Sequence, residues 1–153
     1  EALFNIWQGR IDGCRWLDLC AGSGAMGAEA LCRGADTVVG IEKSGAACRI
    51  IQTNWHTIAT PEQTFQVIKG DVVKKLSQLN QAPFDLVYFD PPYAAKLYNP
   101  GLETLIRESL LAPNAAIAAE YNPEYWQPDS FSKLELSRTK RYGLTSLALF
   151  NAL

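Results

Sequence analysis

The sequence has no apolar run that approaches the ~20 residues of a membrane-spanning helix, and it does not open with a signal-peptide pattern. We therefore expect a cytoplasmic protein. Internal repeats and low-complexity segments are also missing, and the 153 residues fit one domain. The formal net charge of −2 argues against a generally basic nucleic-acid binder, so any basic surface has to be local.

The chain has few histidine and cysteine residues that could bind a metal. Its single histidine, His56, stands in a predicted helix without a second histidine or an acid at metal-ligand spacing. The four cysteines all lie in the first third of the chain, and their spacings match no Cys-x-x-Cys pattern of a metal or redox site. We expect no bound metal and predict reduced, buried thiols at Cys14, Cys20, Cys32 and Cys48.

Apolar runs and chain breakers alternate along the sequence in a way that is typical of β-α units. The pattern predicts strands at residues 14–20, 37–42, 65–69, 86–89, 115–121, 134–142 and 145–153. It predicts helices from the glycine turn at residues 21–27 through Arg33, and at residues 46–58, 72–79 and 99–111. The last two strands form an antiparallel hairpin around Gly143. We predict an α/β fold, with a Rossmann-like, doubly wound, mostly parallel sheet of seven strands in a single domain over residues 1–153.

The predicted helix over residues 46–58 has a partly apolar surface. We expect its inner side to be formed by Cys48, Ile50, Ile51 and Trp55. Pro61 stops this helix because proline cannot continue the backbone hydrogen bonds.

The end of the fourth predicted strand carries the most distinctive stretch, which reads FDLVYFDPPY. Asp90 follows the buried strand directly and so lies at the sheet edge where α/β proteins bind ligands. Pro91 and Pro92 remove two backbone donors, which leaves a turn that presents carbonyl oxygens. Tyr93 adds a flat aromatic face. Alternatively, Asp90 only caps the turn and Tyr93 only packs.

Acceptors beside an aromatic face suit a planar group that carries an NH₂. The nitrogen of such a group is a poor nucleophile because its lone pair is delocalised into the ring. Acceptors that hold both hydrogens out of the ring plane would free the lone pair, while Tyr93 stacks on the ring.

Three earlier strands also end in residues that suit ligand binding. The turn GSGAMG after the first strand matches G-x-G-x-x-G, and Glu42 lies twenty residues after Gly22, where an acid can accept hydrogen bonds from ribose. The pair fits an adenosine-type cofactor and fits a nicotinamide dinucleotide equally well. Asp71 ends the third strand, although Glu42 can also be a solvated acid and Asp71 a helix N-cap. Because parallel strands share one carboxyl edge, we expect these residues and Asp90 to surround one cleft.

These motifs resemble a known family. LDLCAGSGAMG, VGIEKS, GDVV and DPPY, in this order, are similar to the motifs of class I S-adenosylmethionine-dependent methyltransferases that act on exocyclic amino groups. Over nearly the whole chain, EALFNIW, LDLCAGSGAMGAEALCRGA, DPPY and RYGLTSLALF resemble the bacterial 16S ribosomal RNA guanine-(N2)-methyltransferases of the RsmD type. The resemblance implies methyl transfer from S-adenosyl-L-methionine to a guanine amino group in 16S rRNA, with S-adenosyl-L-homocysteine as product.

The resemblance also implies roles for individual residues. The implied catalytic residues are Asp90, Pro91, Pro92 and Tyr93, which would take the target guanine. The implied cofactor-binding residues are Asp18, Ala21, Gly22, Ser23, Gly24, Glu42, Lys43, Asp71, Val72 and Asp90. Of these, Asp18 and the glycine turn would hold the methionine part, Glu42 the ribose, and Asp71 with Val72 the adenine.

The implied partner is 16S rRNA or a small-subunit assembly particle. We expect the protein to be a monomer and to have no membrane partner. Family members carry a basic segment upstream of the EALFN helix that helps bind RNA, and we expect this segment to be missing here. Candidate phosphate contacts within the chain are Lys74, Lys75, Arg138, Lys140 and Arg141, which can equally be solvated surface charges.

Three other functions stay open at this point. An adenine-amino nucleic-acid methyltransferase would use the same DPPY chemistry, but the chain has no room for a separate target-recognition domain. A nicotinamide-dependent dehydrogenase would explain the glycine turn and Glu42 but not DPPY. A non-catalytic adenosine-cofactor-binding subunit would leave RNA recognition to a partner.

Overall fold

The computed structural model describes residues 2–93 and 96–153, and in this part of the chain seven strands form one sheet. The strands are β1 (Arg15–Leu19), β2 (Thr37–Glu42), β3 (Thr64–Lys69), β4 (Phe84–Phe89), β5 (Leu111–Tyr121), β6 (Leu134–Tyr142) and β7 (Thr145–Ala152). Their order across the sheet is β3-β2-β1-β4-β5-β7-β6. Strands β1 to β5 pair in parallel, and β7 runs antiparallel to both β5 and β6. The predicted doubly wound sheet with a C-terminal hairpin is confirmed.

The helices cover the two faces of this sheet. They are α1 (Ala2–Ile6), α2 (Ala25–Cys32), α3 (Gly45–Ile58), α4 (Val72–Gln78) and α5 (Tyr98–Arg107). Buried side chains of α1, α2 and α3 pack on one face, and those of α4 and α5 pack on the other. Because β1 and β4 lie in the interior of the sheet and are covered on both sides, nearly all of their residues are buried, including Asp18.

Aromatic side chains attach α1 to the sheet. The Phe4 ring stacks on Trp16 of β1 with centroids 5.5 Å apart, and Trp7 meets the same indole edge-on at 5.4 Å. All three side chains are almost fully buried. Burial of side chains of this size stabilises the fold by roughly 2–3 kcal/mol each, so the short first helix is held by packing.

Two predictions about helices were wrong. Ile50 is 55% exposed, because it is one residue from the fully buried Ile51 and therefore points about 100° away around α3. The predicted helix over 99–111 ends early: Ser109 has a φ of 55°, and Leu111 already pairs with Phe84 in the sheet. An irregular register between β4 and β5 accommodates the proline and asparagine that follow Leu111.

The four cysteines are free thiols in different environments. Cys14 is buried, Cys20 and Cys48 are half-buried, and Cys32 is exposed, so the prediction of buried thiols was wrong for Cys32. Within residues 2–93 and 96–153, three or more histidine, cysteine or acidic side chains do not gather in a way that could hold a metal ion. The helices that the structure describes are too short or too polar to cross a membrane.

Candidate active site

A cavity of about 610 Å³ lies at the carboxyl ends of the central parallel strands. Its walls come from the segments that directly follow β1, β2, β3 and β4, together with Leu97 before α5. The lining residues are Cys20, Gly22, Glu42, Lys43, Asp71, Val72, Asp90, Pro91, Pro92, Tyr93 and Leu97. The strand ends therefore converge on one cleft, as the β-α pattern predicts, and its volume is in the range of small-molecule sites.

The glycine turn after β1 is supported from below by Trp55 of α3. The indole Nε1 donates a hydrogen bond to the carbonyl oxygen of Gly24 at 2.9 Å. A Cβ atom added to Gly27 would lie 2.3 Å from the Trp55 ring, and one added to Gly40 would lie 2.7 Å from it. Glycines at these positions let the indole lie directly under the turn. Two glycines inside predicted elements were the available sequence signal for such a close approach.

Asp18 lies beneath the turn and does not line the cavity. It is 1% exposed, and its Oδ2 accepts a hydrogen bond from the backbone N–H of Gly27 at 3.1 Å. Burial, followed by the charges of Asp90 and Glu42, raises the pKa of Asp18 well above its usual range. Asp18 therefore orients the start of α2. Of the other residues predicted around the turn, Gly22 lines the cavity, whereas Ala21, Ser23 and Gly24 do not.

Glu42 joins two walls of the cavity. Its Oε1 accepts a hydrogen bond from the Gly22 N–H at 2.8 Å, and its Oε2 accepts one from the Ser44 N–H at 3.0 Å. These bonds fix the carboxylate, so Glu42 is not a merely solvated acid at a strand end. Because each carboxylate oxygen has two lone pairs, both oxygens can still accept from a ligand hydroxyl.

Asp71 is the N-cap of α4, as its position predicts, and its Oδ2 accepts a hydrogen bond from the Lys74 N–H at 3.0 Å. It also lines the cavity beside Val72. The capping bond fixes the side chain and leaves its other oxygen for a ligand donor. The two interpretations of Asp71, as a cap and as a ligand-binding residue, are therefore compatible.

The DPPY turn forms the wall opposite these acids. Burial, together with the charge of Glu120, raises the pKa of Asp90 to about 6. Tyr93 is 36% exposed and stacks on Tyr125, with ring centroids 5.7 Å apart. Its Oη also lies 3.4 Å from the Oγ1 of Thr145 in the C-terminal hairpin. Tyr93 is therefore a surface-accessible aromatic group at the cavity mouth rather than a core residue.

Several residues at the site were not predicted as site residues from the sequence. Cys20 and Leu97 line the cavity, and burial raises the pKa of the Cys20 thiol to about 12, so it acts as a neutral, apolar group. Glu120 and Tyr125 reach the DPPY turn from segments after or at the end of β5. Their proximity depends on the pairing of β4 with β5, which is tertiary information.

The candidate basic residues flank the cavity on two sides. Lys74 and Lys75 lie on α4 beside the cap Asp71, and the other three lie on β6, which is one of the two edge strands of the sheet and is mostly exposed. Arg141 donates from its Nε to the carbonyl of Gly143 at 3.0 Å, in the same hairpin that contacts Tyr93 through Thr145. The basic end of β6 therefore lies next to the cavity mouth.

A family model described as "Conserved hypothetical protein 95" matches residues 1–151. The chain belongs to this family. Two relatives named ribosomal RNA small subunit methyltransferase D align with 98% of this chain. The Haemophilus influenzae protein is 31% identical and is covered over 78% of its length, and the Escherichia coli K12 protein is 30% identical and is covered over 74%. The predicted resemblance to RsmD-type proteins is confirmed.

Solved structures agree with this family assignment. A conserved hypothetical protein of Streptococcus pyogenes superposes with a TM-score of 0.87 at 30% identity, covering 99% of this chain and 94% of that one. TrmN of Thermus thermophilus matches with a TM-score of 0.79 at 19% identity, over 99% of this chain and 47% of that one, and so bears on the fold alone. The fold is that of class I methyltransferases.

Proposed function

We propose that this protein transfers a methyl group from S-adenosyl-L-methionine to the exocyclic N2 of a guanine in small-subunit ribosomal RNA. The observation that carries the proposal is a single cavity with two chemically different walls. Glu42 and Asp71 offer fixed acceptors on one side, and Asp90 to Tyr93 offer acceptors and an aromatic face on the other. The names of the relatives from Haemophilus influenzae and Escherichia coli support an RNA of the small subunit as the acceptor.

The donor side fits an adenosine with a charged sulfur. Glu42 would accept from the ribose hydroxyls, Asp71 from the adenine amino group, and the Gly22 turn leaves space for the methionine part. The methionine part could approach the backbone of this turn closely, because a glycine has no side chain to block it. A donor held in this way would supply an electrophilic methyl carbon for guanine N2 to attack, and the carbon–sulfur bonding pair would stay on sulfur.

The acceptor side controls the nucleophile. The Asp90 carboxylate and the Pro91 carbonyl would accept the two hydrogens of the amino group, which frees its lone pair and stabilises the positive charge that develops on nitrogen. Asp90 then takes the proton that N2 loses. A guanine reaches this point only after it leaves its stack in the RNA, at a cost of a few kcal/mol. Stacking on Tyr93 offsets part of that cost.

Two measurements test this function. Calorimetry with S-adenosylhomocysteine and with NAD compares the two cofactor classes, and we expect binding of the former only. A methyl-transfer assay on naked small-subunit rRNA and on assembled small subunits then tests turnover. NAD binding would favour a dehydrogenase. Binding of S-adenosylhomocysteine without methyl transfer to either RNA substrate would indicate a cofactor-binding subunit. N6-methyladenine as the product would indicate an adenine-specific enzyme.

Replacement of Glu42 by Gln is expected to weaken S-adenosylhomocysteine binding at least tenfold, or about 1.4 kcal/mol. One amide oxygen cannot accept from both Gly22 and Ser44, and the amide NH₂ would face one of these donors. Calorimetry measures the change. The control is Glu29→Gln, which removes an exposed acid that pairs with Arg33 outside the cavity. Unchanged affinity in Glu42→Gln would contradict the ribose assignment.

The double substitution Lys140→Gln, Arg141→Gln is expected to flatten the salt dependence of RNA binding. Each lost phosphate contact lowers the slope of log K against log salt by roughly 0.7–0.9. Binding to small-subunit rRNA is measured between low and physiological salt. Lys133→Gln removes a charge just before the other end of β6 and serves as the control. The same slope in the double variant and the wild type would mean that both charges only solvate the surface.

A further inference from the structure

A second cavity lies on the other side of Asp90, on the face of the sheet that α1 covers. Its volume is about 300 Å³, and its walls include Tyr88, Glu120, Tyr142 and Thr145. It is adjacent to the larger cavity because Asp90, which lines the first, follows β4 two residues after Tyr88 and lies near enough to Glu120 for that charge to raise its pKa, and Tyr88 and Glu120 line the second. Thr145 makes a further link through its contact with Tyr93.

Glu120 is the only acid among the residues that line this second cavity in the described chain. It lies near the carboxyl end of β5 and pairs with Leu147 of β7. The Tyr88 hydroxyl donates a hydrogen bond to its Oε2, which fixes the side chain and uses one of its four lone pairs. The remaining lone pairs make Glu120 a positioned acceptor for two neighbouring donors.

Tyr142 contributes the complementary group. The residue lines the same cavity, and its hydroxyl is buried and has no hydrogen-bond partner among the residues that the structure describes. A buried hydroxyl without a partner destabilises the fold, and a ligand acceptor would remove that cost. The cavity therefore combines the Glu120 carboxylate, which can accept from two ligand donors, with the Tyr142 hydroxyl, which can donate to one ligand acceptor.

We propose that Glu120 selects guanine, by accepting hydrogen bonds from the N1–H and one N2–H, while the Tyr142 hydroxyl donates to O6. This assignment rests on the proposed function. The Watson–Crick edge of guanine presents one acceptor and two donors in a row, which matches the cavity. Adenine presents an acceptor at N1, which would face another acceptor, a carboxylate oxygen, without a donor hydrogen between them. In this arrangement Glu120 replaces the Pro91 carbonyl as the acceptor of one N2 hydrogen, and the other N2 hydrogen is left for Asp90 in the neighbouring cavity.

A purely structural role for Glu120 is the competing explanation, since it also holds Tyr88 and contacts Asp90. Glu120→Gln separates the two roles. The glutamine oxygen can still accept from Tyr88, so the variant keeps the internal bond. Its amide now donates on one side and accepts on the other, which matches 2-aminopurine, a base with an acceptor at N1, the same 2-amino group and no O6.

The experiment compares methyl transfer to small-subunit particles that carry either guanine or 2-aminopurine at the position the wild-type protein methylates. The wild type is expected to prefer guanine by about 10–100-fold in kcat/KM, the value of one bidentate pair. In Glu120→Gln the preference should fall below about threefold or invert, with S-adenosylhomocysteine affinity unchanged. Tyr142→Phe should slow transfer to guanine about tenfold and leave 2-aminopurine unaffected, because that base has no O6.

The outcomes are distinct. A loss of rate in Glu120→Gln that is equal for both bases would overturn the assignment and leave the proposed function intact, because Glu120 would then only position its neighbours. Absence of any transfer by the wild-type protein to guanine-containing particles would overturn the proposed function and the assignment together.

Discussion

Asp90→Ala is expected to lower kcat for methyl transfer by about 10²–10³-fold, the usual cost of removing one group that stabilises developing charge. The affinity for S-adenosylhomocysteine should change by less than about threefold, because Glu42 and Asp71 remain in place as acceptors on the donor side. Single-turnover kinetics and calorimetry measure the two quantities separately. A variant with normal turnover would refute the role of Asp90.

The pH dependence gives an independent check on Asp90. Burial raises its pKa to about 6, so the carboxylate is protonated below that pH and cannot accept the amino hydrogens or the proton. Turnover of the wild type should therefore rise as pH increases through about 6. Asp90→Ala should lack this acid limb, whereas Glu62→Ala, which removes an exposed acid away from the cavity, should keep it.

Gly27→Ala should destabilise the protein by about 1–3 kcal/mol, as overpacking of a filled core does. The added Cβ would lie 2.3 Å from the Trp55 ring, which is fully buried and cannot move away without loss of its bond to Gly24. The intrinsic preference of alanine for helix would act in the opposite direction, by up to ~1 kcal/mol. Chemical denaturation measures the net change, and S-adenosylhomocysteine binding should weaken in parallel because the turn shifts.

Gly45→Ala is the matched control for this variant. Gly45 is also a helical glycine, but an added Cβ would meet the flexible ends of Lys69, at 3.2 Å, and Arg49, at 3.8 Å, so stability should be unchanged or slightly higher. Gly27→Ala should lower the free energy of unfolding less in a Trp55→Phe background than in the wild type, because the smaller ring leaves space under the turn. Strictly additive effects of the two substitutions would contradict the proposed contact.

The order of strands and helices could be predicted because the local patterns were unambiguous. The apolar run before Asp90 and the glycine turn after β1 predict two parallel strands with a shared carboxyl edge, and the structure pairs these two strands directly. Element ends were less predictable. The sequence around Leu111 has helical apolar spacing, but pairing of that residue with Phe84 overrides it. Such pairing across the sheet is not visible in a local pattern.

The candidate site shows the same division. Glu42, Asp71 and Asp90 follow strands directly, so their meeting at one edge follows from the parallel topology. Glu120 also ends a strand, but no spacing or motif marks it, and its contact with Asp90 exists only because β5 lies beside β4. Trp55 was expected in the core, yet its function as support for the turn depends on glycines that are distant in sequence.

The central claim is that one edge of the sheet brings a methyl donor and a guanine of small-subunit RNA together. Mass mapping of small-subunit rRNA from cells with and without this protein tests the claim most directly. We predict that one N2-methylguanosine disappears without the protein, returns with the wild-type chain, and stays absent with Asp90→Ala. An identical set of modified nucleotides in both kinds of cell would contradict the account.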